Sequence, residues 1–426
     1  MDKIFSKQSK IFGTHFRKHR VLANLALAAA SLCLSLLILE LAFRSLIPLD
    51  SRQPLEFRIP DPIFGWALQP NTTYLYKTPE SVVSVTYNSK GWRDLEHQVK
   101  KPDGVFRILV LGDSFMEANS VKLEESFHRQ VEELARAAGK KVEVINMGVA
   151  GYGTLQEYLV FEHIGRLYDP DLVLVGFYDG NDLINNSFEL ASILTEEGQV
   201  TNARPFLEMN QSVWTVTPVD FEGSQRNYAQ QKASLEANRK RLTQKLALLR
   251  LFGEGIARIL NRESPKSQEG QIEPVNKNRQ EMALLGVNYC IEPEEYTRAW
   301  TVTERIFARF KEEVEASGGK LVVFNVPSLE ELSLEYMKNV TVGITHPEKL
   351  CLEEAPGQER LSDLLTKLDI DFIPLLSDFR KVTREEGIQL YRVGDLHWNR
   401  EGHALAAKVV LSQLIKRGLF LTAREQ

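Results

Sequence analysis

Four short segments carry residue types that could do chemistry together. Ser114 stands in Leu111-Gly112-Asp113-Ser114-Phe115, directly after the apolar run Phe106-Arg107-Ile108-Leu109-Val110. A serine at a strand-to-helix turn can be a nucleophile, and the first N–H groups of such a helix face the place where an oxyanion would form. Far down the chain, Asp395-Leu396-His397 can supply the base and its orienter. His397 would take the proton from Ser114 while Asp395 holds the imidazole tautomer and stabilises its cation. The order Ser…Asp-His, with the last two almost adjacent, differs from the trypsin and subtilisin orders. Between these ends lie Asn146-Met147-Gly148-Val149-Ala150-Gly151-Tyr152-Gly153 and Tyr178-Asp179-Gly180-Asn181-Asp182. In the first, Gly151 would let the backbone approach a bound oxyanion. In the second, the Asn181 amide is a good oxyanion donor, and Asp182 could tie down the loop that holds it.

Each segment also has an ordinary reading. Gly-Asp-Ser alone is a common turn, and Asp179 to Asp182 favour an Asx turn. The glycine loop could be read as a dinucleotide site, but its spacing is G-x-x-G-x-G rather than G-x-G-x-x-G. Asp169 and Asp171 also open the next strand instead of closing it. With no His-Glu-x-x-His and the other histidines scattered, no metal site is expected, and no cofactor motif is present. Asn399 with Glu401 resembles the N-cap region of a closing helix, which makes His403 on that helix a structural residue.

The elements that must position these residues alternate. Strands are expected at Val82–Tyr87, Phe106–Leu111, Val142–Asn146, Asp171–Tyr178, Lys320–Val326 and Ile370–Pro374. Helices are expected at Glu125–Ala138, Thr154–Ile164, Thr301–Ala316 and Glu401–Arg417. That rhythm predicts a three-layer α/β/α domain with a central parallel sheet, and ligands collect at the carboxyl ends of such strands. Between about 185 and 292 the rhythm is lost. Ala233–Ile259 is helix-like and rich in Lys, Arg and Leu, and Asn261–Asn278 reads as a loop. This insertion could be a lid, a partner-docking surface or a decorative helical subdomain; its basic helix could also touch anionic lipid.

A chain of 426 residues suits one large domain with an insertion, or two domains. A net charge of −5 gives no reason to expect nucleic-acid binding. Val21 to Leu39 carries no charge and is close to the roughly 20 residues that cross a bilayer core. Lys3, Lys7, Lys10, Arg17, Lys18 and Arg20 precede it against the single acid Asp2, and the next basic residue after it is Arg44. The positive-inside bias then places the N-terminus in the cytoplasm and the body of the chain outside. A cleaved signal peptide fits less well, because the apolar stretch is long and Leu41-Ala42-Phe43 is a poor cleavage site. The expected organisation is a cytoplasmic tail (1–20), a transmembrane helix (21–42), a proline-rich stalk and N-terminal extension (43–84), and a catalytic domain (85–420) with its insertion at 185–292. Cys33 lies in the apolar span. Cys290 and Cys351 would share an oxidising compartment, and sequence spacing leaves open whether they pair.

Taken in order, the four segments resemble the SGNH (GDSL-type) hydrolase superfamily, over roughly residues 85–415 without the insertion. The resemblance implies Ser114 as nucleophile, the Ser114 N–H, the Gly151 N–H and the Asn181 side chain as oxyanion donors, and Asp395 with His397 as the dyad. Asn88-Ser89-Lys90-Gly91-Trp92-Arg93-Asp94 also looks like the leader of membrane-anchored bacterial members. The last block departs from the family's usual Asp-x-x-His-Pro. Its shorter form, Asp-x-His-Trp, is similar to that of extracytoplasmic polysaccharide O-acetyltransferases of the alginate type, in which the pair precedes the serine. The resemblance implies an ester or acylated-glycan substrate and no cofactor. The expected activity is a membrane-anchored serine esterase, with an O-acyltransferase and a non-catalytic binding protein as alternatives.

Overall fold

Phe106–Gly112 is a run of seven residues buried without exception, as expected of a strand covered on both faces. In this computed structural model the described residues are 24, 27–38, 57–77, 81–194, 203–210, 213–243, 274–332, 344–392 and 395–420, with 210, 235–243, 274–276 and 395–396 described by their backbone alone. The chain divides into two compact units, Met1–Ser51 with Gln231–Gly270 and Arg52–Gln230 with Gln271–Gln426.

The second unit is built on five parallel strands: β5 (Phe106–Gly112), β6 (Val142–Asn146), β7 (Leu172–Phe177), β10 (Lys320–Asn325) and β11 (Asp371–Ile373). They lie in the order β11-β10-β7-β5-β6. Alternate residues of each strand enter different cores. Leu109, Leu111, Ile145, Val173, Val175 and Val323 pack with the helices Thr154–His163 and Glu294–Ala316. Ile108, Val110, Val144, Leu174, Val322 and Phe324 pack with Phe127–Ala137 and Arg400–Lys416. The architecture is therefore three-layer α/β/α. The strand that starts the sheet, β5, has β6 on one side and every later strand on the other. The order thus reverses between β5 and β7, and open α/β sheets bind ligands outside that switch point.

Several boundaries moved. The helix expected at Thr301 begins at Glu294, after Pro293 and with Glu294 and Glu295 in its first turn, where acids suit the helix dipole. Inside the insertion a helix runs Phe221–Thr243, earlier than expected, and residues 244–259 lie outside the described residues. The loop expected at Asn261–Asn278 is helical from Pro274, in Pro274–Leu285. Before the first of these helices, two short strands not anticipated, β8 (Leu207–Asn210) and β9 (Val213–Val216), pair antiparallel.

The described part of the segment expected as stalk and N-terminal extension (43–84) holds β1 (Arg58–Asp61), β2 (Gly65–Leu68) and β3 (Thr72–Lys77). β1 pairs with β2, and β3 with β4 (Val82–Tyr87). Of the prolines that suggested a stalk, Pro60 sits in the two-stranded β1–β2 edge and Pro62 and Pro70 sit in turns, where a missing N–H is tolerated. Meanwhile Phe57, Phe64, Leu68 and Tyr74 are buried in the main core.

In the first unit, residues 27–38 are helical, with Leu27, Leu32, Leu34, Leu37 and Ile38 exposed. No helix among the described residues is long and apolar enough to cross a membrane. The rest of the expected span, 21–42, lies outside the described residues apart from Asn24.

Cys290 and Cys351 form a disulfide with Cα atoms 4.9 Å apart. Backbone bonds align them: the Cys290 N–H donates to the Lys349 carbonyl at 2.7 Å and the Cys351 N–H to the Asn288 carbonyl at 2.8 Å. The cross-link spans 61 residues, a loop whose closure entropy in the unfolded chain is worth about 4 kcal/mol. A Cys290→Ala/Cys351→Ala variant should lose about 2–4 kcal/mol in denaturant unfolding. Reductant should remove a similar amount from the wild type and nothing from the variant.

Candidate active site

β5 delivers Ser114 to the switch point. The helix Ser114–Glu117 starts at once, and Asp113 caps it by accepting from the Phe115 N–H at 2.9 Å. This is the ordinary work of an aspartate at an N-cap. The same carboxylate accepts from Asn181 Nδ2 at 2.7 Å, so it also fixes the loop after β7. An amide nitrogen has two protons, which leaves one on Asn181 for another acceptor. Burial raises the Asp113 pKa, against the lowering effect of the Phe115 N–H, the Asn181 amide and His397.

His397 arrives from β13 (Asp395–Trp398), which pairs with β12 (Tyr391–Arg392). Its Nε2 lies 2.7 Å from the Ser114 Oγ. The imidazole is held by aromatic packing: its ring centroid is 5.1 Å from that of Phe115, and Phe115 meets Trp398 edge-on at 5.2 Å. The Trp398 Nε1 donates to the Tyr391 hydroxyl at 3.0 Å. Asp395 is in the same strand, and its side chain lies outside the described residues.

Gly151 follows β6 in a turn closed by the Tyr152 N–H donating to the Val149 carbonyl at 3.1 Å. Its φ of +82° is open to glycine at little cost and strained for other residues. Among the described residues neither the Ser114 N–H nor the Gly151 N–H has an acceptor. Asp182 does anchor the Asn181 loop: it accepts from the Tyr178 N–H at 2.8 Å and the Thr154 hydroxyl at 2.9 Å. Burial, and then the Asp113 charge, push its carboxyl well above the usual range.

The tertiary structure adds positioning residues that the motifs did not reveal. Glu117 is 2% exposed and holds three pieces of chain together. It accepts from the Tyr87 hydroxyl at 2.7 Å, from the Ala150 N–H at 2.6 Å and from Asn119 Nδ2. Arg93, also buried, donates to the carbonyls of Glu117 at 3.1 Å, Val121 at 2.5 Å and Ala118. It thereby satisfies orphan carbonyls after a very short helix. Asp94 accepts from the Asn146 N–H at 2.8 Å and faces His97 and His128 at 3.1 and 3.2 Å. The segment singled out as Asn88 to Asp94 is thus a latch that ties β4, the serine helix and the end of β6.

A serine hydroxyl bonded to an imidazole, beside backbone and amide donors, has the parts for nucleophilic acyl transfer. Among the described residues no group of His, Cys, Asp and Glu is placed to hold a metal ion.

No family model matches this chain, and neither does any curated protein. Among solved structures it is similar to the acetyl xylan esterase AlAXEase, at 12% identity and TM-score 0.36, over 72% of this chain and 100% of that one. An acetyl xylan esterase from Geobacillus stearothermophilus matches at 10% identity and TM-score 0.37, over 72% and 94%. A GDSL-like lipase from Bacteroides thetaiotaomicron matches at 12% identity and TM-score 0.31, over 73% and 88%. Likenesses this distant leave the functional case to the geometry of the site.

His403 has the opposite character from His397. It is 1% exposed and packs edge-on to Trp398, and burial followed by the charge of Arg93 lowers its pKa from 6.5 to about 3. Between these values the unfolded chain binds a proton that the folded chain refuses, so stability is lost as pH falls through about 6.5 toward 3. The difference in unfolding free energy between wild type and His403→Leu should shift by about 2 kcal/mol between pH 7 and pH 5, against the wild type. Urea melts at the two pH values measure it; a pH-independent difference would show that folding leaves the His403 pKa unchanged.

Proposed function

We propose that this chain is a membrane-anchored, extracytoplasmic serine esterase of SGNH type. The observation that carries the proposal is the 2.7 Å contact between the Ser114 Oγ and the His397 Nε2 at the sheet's switch point. In this reading His397 removes the hydroxyl proton as Ser114 attacks the ester carbonyl. The Ser114 N–H, the Gly151 N–H and the second proton of the Asn181 amide receive the oxyanion. Collapse of the tetrahedral intermediate expels the alcohol, which takes its proton from His397, and leaves an acyl-serine. Water, activated by the same imidazole, then releases the acid. Asp395 is assigned to orient His397.

The membrane part rests on the uncharged stretch Val21–Leu39 behind six basic residues. The Cys290–Cys351 bond supports an oxidising compartment for the catalytic unit. A second reading keeps the same residues and gives the acyl group to a hydroxyl of an envelope polysaccharide. It is favoured by Asp395-Leu396-His397-Trp398 together with membrane tethering.

Ser114→Ala should abolish hydrolysis of a short-chain aryl ester and labelling by a fluorophosphonate. Asn181→Ala should lower kcat by about 10²–10³ with an unchanged melting profile. Turnover that survives Ser114→Ala would remove the serine mechanism, and a wild type that neither hydrolyses nor labels would favour a non-catalytic binding protein. Product analysis with acetylated donors and glycan acceptors separates hydrolysis from transfer.

A further inference from the structure

Two guanidinium groups flank one indole beside the glycine loop. The Arg58 Cζ lies 5.8 Å from the Trp66 ring centroid, and the Arg204 Cζ lies 5.2 Å from it. Arg204 also donates from Nη2 to the Gly151 carbonyl at 3.2 Å. A Cβ built on Gly151 would stand 3.4 Å from Trp66 Cζ2 and 3.9 Å from Arg58 Nη1. The cluster therefore adjoins the very residue whose N–H is assigned to the oxyanion hole.

The fold builds this arrangement from three distant pieces of chain. A Cβ at Gly65 would meet the Ala203 carbonyl oxygen at 1.9 Å, so only glycine lets residues 203 and 204 lie on the β1–β2 hairpin. The Tyr152 hydroxyl donates to the Trp66 carbonyl, and the two rings meet edge-on with centroids 5.3 Å apart. Gln156 Nε2 fastens the same hairpin through the Phe64 carbonyl at 2.6 Å.

What the cluster lacks is a counter-charge. Among the described residues no carboxylate lies within ion-pair distance of Arg58 or Arg204. Asp61 turns to the N–H groups of Ile63 and Phe64, and Asp182 to the Tyr178 N–H and the Thr154 hydroxyl. Arg204 Nη1 and Trp66 Nε1 are buried donors with no acceptor among the described residues. Two other buried arginines hold more acceptors than Arg204 does, although Arg93 Nε also lacks one. Arg93 has three carbonyls, and Arg107 has Glu143 with further carbonyls. Burial, followed by the charge of Arg58, lowers the Arg204 pKa to about 10, which leaves it a cation at neutral pH. Like charges held around one ring, with buried donors unpaired, cost free energy until an anion joins them.

We infer that Arg58 and Arg204, with the Trp66 indole between them, form an anion-binding subsite beside the oxyanion hole, so that the ester cleaved at Ser114 carries a carboxylate or phosphoryl group on the part held against Gly151. The catalytic consequence rests on the serine-esterase reading; the anion binding does not.

Three aryl acetates test it with the full-length protein: 4-acetoxybenzoate, 4-acetoxyphenyl phosphate and the neutral 4-acetoxybenzamide. The kcat/KM for one anionic ester should exceed that for the amide by about tenfold or more, and the better anion distinguishes carboxylate from phosphoryl. Arg58→Gln and Arg204→Gln should each bring that ratio down toward one, chiefly through KM. Arg204→Lys, which keeps the charge, should retain part of the preference. The exposed Arg298→Gln should leave the ratio unchanged. A wild-type ratio near one, or a uniform loss on all three esters in the glutamine variants, overturns the subsite. A second arm needs no turnover: calorimetric titration of Ser114→Ala with 4-acetoxybenzoate and with inorganic phosphate. Binding of either that weakens about tenfold when Arg204→Gln is added supports the subsite even where no ester is cleaved. No binding, or binding indifferent to that substitution, overturns it.

Discussion

The Glu117 carboxylate is the point at which this site is held together. Three donors, from residues 87, 119 and 150, converge on one buried acceptor group. Removing the acceptor would take a partner from the part-buried Ala150 N–H and leave the Tyr87 hydroxyl with Tyr74 alone. Glu117 sits one helical turn beyond Ser114 and grips the loop that carries Gly151. Its position therefore fixes Ser114 relative to the Gly151 loop, one wall of the proposed oxyanion hole. Asp113 does the same for the other wall through Asn181. Two carboxylates flanking the serine in sequence thus align three loops that belong to three different strands.

This explains why the described part of the N-terminal extension belongs to the same compact unit as the sheet. Tyr87 ends β4 and reaches Glu117. Arg93 and Asp94 then secure the far end of the serine helix and the end of β6. The β1–β2 hairpin adds Trp66 and Arg58 to the rim beside Gly151. A bare α/β/α sheet would supply only strand ends; here the extension and residue 204 of the insertion shape what surrounds them. In the proposed reaction substrate choice would reside in those additions, since the residues proposed to handle the acyl carbonyl come from strand ends.

The two histidines at the end of the chain show how environment divides roles. His397 lies at the serine with one ring nitrogen on Oγ, and it is partly exposed. Six residues on, His403 is sealed against Trp398 and kept neutral by burial. Nothing in the identity of the residue separates them; packing does.

Much of the fold was legible in the sequence. β4 and β6 lie at the expected residues, and β5, β7 and β10 lie within one or two, because short apolar runs between helical patterns have few other solutions in a parallel sheet. The four segments, and the order in which strand ends present Ser114, Gly151 and Asn181, were legible for the same reason: local turn chemistry follows directly from Gly, Asp and Asn. Only the tertiary structure decided the rest. The Ser114–His397 contact, the Cys290–Cys351 bond and the Glu117 hub join residues far apart in the chain, and sequence spacing carries no information about such distances. The strands hidden by prolines between Pro54 and Pro70, and the pairing of Arg58 with Arg204 across Trp66, depend on edge pairing and on one close backbone approach at Gly65. Periodicity reports which face of an element is apolar; which elements meet is settled by packing.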